Sequence, residues 1–109
     1  MIDDETRRLY EMKSEIIQAV GHPIRLAIVD FLSDGEQCVC DIAEHIGAQR
    51  SNVSRHLAIL LKCGIVECRK DGLKVIYSLH VPCILKFFDC VSDVLREQIK
   101  RKNKVLRRL

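Results

Sequence analysis

Residues 49–79 read QRSNVSRHLAILLKCGIVECRKDGLKVIYSL, and the change of period inside this stretch decides the fold. In its first half Val53, Leu57, Leu60 and Leu61 recur at helical spacing behind a polar entry of Gln49, Arg50, Ser51 and Asn52, and Cys63-Gly64 closes the pattern. In its second half, residues 65–70 and 73–79 are rich in β-branched and aromatic side chains. Asp71-Gly72 between them predicts a hairpin turn. A helix with one polar face, followed by a hairpin with basic residues beside its tip, is therefore expected.

Upstream, Leu9, Met12, Ile16, Ile17 and Val20 predict a first helix over residues 5–20, stopped by Gly21. Pro23 opens a second, more apolar helix through Ile24, Leu26, Ala27, Ile28, Phe31 and Leu32, which ends at Asp34-Gly35. Val39, Ile42, Ala43 and Ile46 predict a third, short helix before Gly47. Cys38 and Asp41 take the places of Ser/Thr and Glu in a capping box, which makes Cys38 its N-cap. Downstream, Ile84, Leu85, Phe88, Val91, Leu95 and Ile99 mark one stripe of a long last helix from Pro82 onward. Four helices, a β-hairpin and a fifth helix make a mainly α chain with a β-hairpin wing, the layout of a winged helix-turn-helix. The 109 residues are about one domain's worth, so residues 1–109 are expected to form a single DNA-binding and dimerisation unit. So short a chain cannot cover the apolar stripes of its first and last helices, which are expected to form the interface of a homodimer.

Composition excludes several classes. With 48% hydrophobic and 30% charged residues the chain is neither a disordered tail nor a low-complexity stalk. The net charge of +3 is unevenly spread: residues 1–48 hold 4 basic and 10 acidic groups, residues 49–74 hold 6 and 2, and residues 96–109 hold 7 and 1. The basic middle block suits a polyanion. Gln49, Arg50, Ser51, Asn52, Ser54, Arg55 and His56 are the candidate readers of base edges and phosphates in a major groove about 12 Å wide. Arg69, Lys70 and Lys74 flank the hairpin turn, where a wing meets the backbone or the minor groove. For the C-terminal basic run, a solvated face is an equally good reading. The opening residues contain no cationic segment followed by an apolar one, and no apolar run is long enough to span a bilayer. A cytoplasmic protein with no membrane partner and six reduced cysteines is expected.

The segments Asn52-Val53-Ser54-Arg55-His56-Leu57-Ala58-Ile59-Leu60, Gly64-Ile65-Val66, Arg69-Lys70-Asp71-Gly72 and Tyr77-Ser78-Leu79 together resemble the ArsR/SmtB family of metalloregulatory repressors. Residues 36–43, Glu-Gln-Cys-Val-Cys-Asp-Ile-Ala, are similar to the metal-binding box of its arsenic- and cadmium-sensing branches. The resemblance implies a homodimer that sits on a palindromic operator in double-stranded DNA and leaves when a soft metal or metalloid binds. It also implies Cys38 and Cys40 as ligands.

Two residues apart on a regular helix, Cys38 and Cys40 would diverge by about 200°. Their sulfurs can converge if Cys38 keeps an extended backbone at the N-cap, and drawing them together would disturb the helix before the reader. The helix N-terminus is expected to lower the Cys38 thiol pKa. Thiolates select trivalent arsenic or antimony, with Cd, Pb or Zn as alternatives. Trivalent arsenic takes three sulfurs, and the box offers Ala43 where arsenic-sensing relatives often have a third cysteine. Cys83 and Cys90, seven apart near one face of the last helix, are candidates for that third thiolate or for a separate pair, beside a plainer reading as helix filler. Cys63 and Cys68 read as structural. Two alternatives stay open: the same DNA-binding fold as a thiol redox or persulfide sensor, and, more distantly, a thiol oxidoreductase or metal-sequestering protein. No Ser/His/Asp set, phosphate loop or carboxylate pair argues for any other enzyme, so a non-enzymatic regulator is expected.

Overall fold

The computed structural model describes residues 1–109. Helix α1 (Asp4–Val20) begins where the Asp3 carboxylate accepts the Thr6 N–H at 2.8 Å, and the Thr6 hydroxyl, followed by this N–H, holds the carboxyl below its ordinary value. Helix α2 (Pro23–Leu32) follows after the tight turn at Gly21. Strand β1 (Gln37–Cys38) runs directly into α3 (Val39–Ile46), and α3 stops at Gly47. Gly47 has φ 78°, the left-handed conformation that lets its N–H reach back to the Ala43 carbonyl. Helix α4 (Arg50–Lys62), strands β2 (Val66–Asp71) and β3 (Lys74–Leu79), and helix α5 (Ile84–Leu106) complete the chain.

The winged helix-turn-helix expected from the sequence is present, with one addition. The sheet has three antiparallel strands in the order β1-β3-β2, because Gln37 pairs with Tyr77 and Cys38 with Ile76 along the free edge of β3. The sequence reading anticipated only the hairpin. Two residues are too few to show a period, and this strand exists because β3 offers it an edge. The hairpin turn also moves by one residue. Asp71 pairs with Lys74 as the last ladder pair, so the loop is Gly72-Leu73, with Gly72 at φ 63° in the first loop position, where type II′ turns need glycine.

The core lies between α2, α3, α4 and the base of the hairpin. Ile28, Val29, Ile42, Val53, Leu57 and Leu60 are wholly buried, with Val20, Leu32, Ile65 and Val66 closing around them. Outside this core the chain spreads. Its radius of gyration is 17.5 Å, against about 13 Å for a compact domain of this length. Helix α5 buries none of its residues. Leu9, Met12, Ile16 and Ile17 on α1 and Phe87, Val91, Val94, Leu95 and Ile99 on α5 remain exposed. An apolar groove of about 580 Å³ runs between α1, α2 and α5, lined by Ile17, Val20, Leu26, Phe88, Val91 and Leu95. No helix is long and apolar enough to cross a membrane.

Candidate nucleic-acid interface and thiol pair

Helix α4 is built to be read from one side. Val53, Leu57 and Leu60 anchor it in the core, which turns Gln49, Arg50, Ser51, Ser54 and Arg55 to solvent. Gln49 makes no side-chain cap bond and the first turn holds no acidic residue. The leading amides and the positive end of the helix dipole thus stay open to an anion. Asn52 is half-buried beside them. This face can meet phosphates with its amides and arginines and base edges with its short polar groups.

His56 does not join it. Its ring is half-buried, its Nδ1 lies 3.2 Å from an Arg25 guanidinium nitrogen, and its centroid is 4.4 Å from that of His22. The side chain flanks the apolar stripe of α4 and is drawn to the start of α2, apart from the exposed Arg50, Ser51, Ser54 and Arg55. Arg25, which the sequence reading did not single out, was visible as the one basic residue of a helix whose only other charged residue is Asp30.

The wing divides in the same way. Lys70 and Lys74 are exposed and form no ion pair, whereas Arg69 is held by Glu36 at 2.7 Å and lies 3.8 Å from Asp71. Arg69 is therefore not a free cation like its neighbours. With both groups about half exposed, the Glu36 pair contributes at most about 1 kcal/mol. It joins the residue before β1 to the wing strand β2.

Cys38 is the last residue of β1 and the N-cap of α3, with extended backbone at φ −82° and ψ 161°. Its position as N-cap follows the sequence expectation; its titration does not. The Asp41 backbone N–H favours the thiolate, but burial, the Asp41 carboxyl group and the Cys40 thiol outweigh it and push the Cys38 thiol above its ordinary value. Cys38 is only 5% exposed, so the desolvation that the sequence could not display overrides the helix terminus. Cys40 is half-buried one step into α3, beside a cavity of about 560 Å³ that reaches Gln49 and Arg50 at the start of α4.

Cys63 packs against the core, Cys68 faces out from β2, and all six cysteines are free. Cys83 is the exposed N-cap of α5 and Cys90 is exposed further along it. Within one protomer no three His, Cys, Asp or Glu side chains gather as a metal site, so neither Cys83 nor Cys90 completes a three-ligand set with the Cys38–Cys40 pair there. The donor set at α3 fits the sulfur half of a soft-ion site: two thiols two residues apart, one of them on non-helical backbone.

The family model "Bacterial regulatory protein, arsR family" matches residues 22–67, which run from the start of α2 into β2. An HTH-type transcriptional regulator of Mycobacterium tuberculosis is 30% identical over 103 residues, covering 94% of this chain and 90% of that protein. The arsenical resistance operon repressor of Staphylococcus xylosus is 38% identical over 71 residues, 65% of this chain and 68% of the repressor. Among solved structures, the homodimeric winged helix-turn-helix DNA-binding domain of a possible ArsR-family transcriptional regulator from Mycobacterium bovis superposes with a TM-score of 0.77 at 27% identity, covering 92% of this chain and 93% of that one. The reader helix anchored in a shared core, the hairpin wing and these matches agree: the chain belongs to the ArsR family of winged helix-turn-helix transcriptional regulators.

Proposed function

We propose that two copies of the chain bind a palindromic operator through α4 and the wing, repress transcription there, and leave when trivalent arsenic or antimony binds Cys38 and Cys40. The observation that carries this reading is the extended backbone of Cys38 at the N-cap of α3. A cysteine so placed is not bound by helical geometry to point away from its neighbour two residues on. Support also comes from Arg50, Arg55, Lys70 and Lys74, cations of the reader helix and wing that take part in none of the ion pairs, and from the similarity to an arsenical resistance operon repressor.

Coupling follows from what Cys38 belongs to. Turning its sulfur toward Cys40 moves the residue that ends β1 and starts α3 at once. Helix α3 packs on α4, and β1 is laddered to the wing strand β3, so both DNA-facing elements share the displaced residue. The protonated, buried state of the Cys38 thiol favours a ligand that displaces the proton on binding over direct attack by an oxidant. A further thiolate, from Cys83 or Cys90 of the second protomer, would complete three-sulfur coordination.

The test is a titration of the purified protein on DNA taken from upstream of its own coding sequence, with arsenite, antimonite, Cd, Pb, Zn and peroxide in separate arms. Release by arsenite or antimonite at about one equivalent, lost in Cys38→Ser and in Cys40→Ser, is the expected result. Release by Cd, Pb or Zn alone would change the inducer, release by peroxide with a disulfide formed would make the pair a redox sensor, and arsenite release from both serine variants would overturn the thiol site.

A further inference from the structure

Where α1 ends, α2 begins and α4 passes beneath them, two histidines and one arginine meet. His22 caps α2 by accepting the Ile24 N–H on Nδ1 at 3.1 Å. Arg25, in the first turn of α2, places one guanidinium nitrogen 3.2 Å from Nδ1 of His56 on the reader helix and the other 3.5 Å from the Gln18 carbonyl near the end of α1. Its Nε is buried without a partner. The two rings lie 4.4 Å apart, inclined by 38°.

Proton positions follow from this geometry without further assumption. A guanidinium only donates, so Nδ1 of His56 must carry a lone pair; the Ile24 amide only donates, so Nδ1 of His22 must as well. Both histidines therefore act as neutral acceptors, and protonating either one removes the acceptor that its partner needs. Protonating both would set two imidazolium rings against each other beside Arg25.

We propose that His22, Arg25 and His56 form a proton-sensitive clasp that positions the reader helix, so that operator binding weakens as the medium turns acid. Arg25 is the positioning residue, spanning from the dimer-forming helix α1 to α4; it does not need to touch DNA. Every charged or titratable group around His56 works in the same direction. Burial lowers its pKa first, followed by His22 and Arg25 from α2 and Arg55 from α4, while α1 contributes only the uncharged Gln18 carbonyl. The unfolded chain takes up this proton near the ordinary value of 6.5, the folded chain only at lower pH. The clasp's contribution is thus fully present above about pH 6.5 and is lost as pH falls from there toward the folded value.

This inference rests on DNA binding through α4, and its sign sets it apart from ordinary contacts. A histidine beside phosphates binds DNA more tightly once protonated, since it adds a cation; a clasp histidine does the opposite. The experiment measures affinity for the upstream duplex, and for a shuffled duplex, between pH 7.5 and 5.5 at fixed salt, with circular dichroism at each pH. The expected result is a loss of about tenfold toward acid, the effect of losing one charge-assisted hydrogen bond. Asn can accept at the place of Nδ1 and is a good N-cap, so the double variant His22→Asn/His56→Asn keeps both acceptors without titrating. It should bind within about threefold of the parent at pH 7.5 and show a flat profile. Arg25→Gln should lose about tenfold at pH 7.5, one charge-assisted hydrogen bond, and converge on the parent toward pH 5.5, where the clasp is already open. Affinity that holds or rises toward acid, an unchanged slope in the double variant, or parental affinity in Arg25→Gln at pH 7.5 would each overturn the clasp. Absence of binding to the upstream duplex at any pH would instead overturn the DNA reading on which it rests.

Discussion

Helices α4 and α5 are both amphipathic, yet they meet opposite fates within one chain. The 13 residues of α4 bury Val53, Leu57 and Leu60 completely, whereas the 23 residues of α5 bury none. The stripe of α4 is matched by α2 and α3, elements that lie within about 30 residues of it. The stripe of α5, with that of α1, faces outward. The first helix is specified by its own chain; the second, in the proposed dimer, is specified by a copy of it. A DNA reader that must hold two half-sites in register gains from this division, since the surface that sets the spacing between readers is separate from the one that sets each reader's angle.

The largest effect that tests this contrast is Leu57→Ala. It leaves a cavity in a site with no exposure, and the unfolding free energy should drop by about 2–5 kcal/mol at every protein concentration, as read by urea denaturation. Leu95→Ala removes a similar side chain from α5, 54% exposed in the single chain, and should leave secondary structure intact. It should raise the dimer dissociation constant about tenfold, or roughly 1–2 kcal/mol, in sedimentation equilibrium. A concentration-independent loss of stability in Leu95→Ala would remove the distinction between the two helices. The polar faces give the smallest pair of effects. Arg55→Ala on α4 should cost about 1–3 kcal/mol of operator affinity with an unchanged melting temperature. Lys104→Ala in the basic end of α5 should stay within about 0.5 kcal/mol on both readouts, and an equal loss of affinity from the two would bring the end of α5 into the DNA interface.

What the sequence displayed and what it concealed divide along physical lines. Long periodic segments were legible because burial imposes a period: the stripes of α1, α2, α4 and α5 can be read from spacing alone. The outward placement of Arg50, Ser51, Ser54 and Arg55 followed from the same wheel. The contact of His56 with Arg25 was not legible because His56 borders the stripe, about 60° from its centre at 100° per residue, and border positions are decided by what the neighbouring helix offers. Here Arg25 offers a donor. Strand β1 was hidden because its two residues form a strand only through a partner some 40 residues away. The Cys38 thiol was assigned the wrong direction for a related reason: the helix terminus is a local feature visible in sequence, while burial is a tertiary one.

The short strand β1 carries one more consequence. Residues 74–79, Lys-Val-Ile-Tyr-Ser-Leu, combine high β-propensity with a single charge, the composition that seeds edge-to-edge association when its hydrogen-bonding row is left open. Gln37 and Cys38 cover that row at Tyr77 and Ile76. Any movement that lifts Cys38 from the sheet uncovers the apolar middle of β3, so the proposed release mechanism would draw on the same two residues that guard this edge against association.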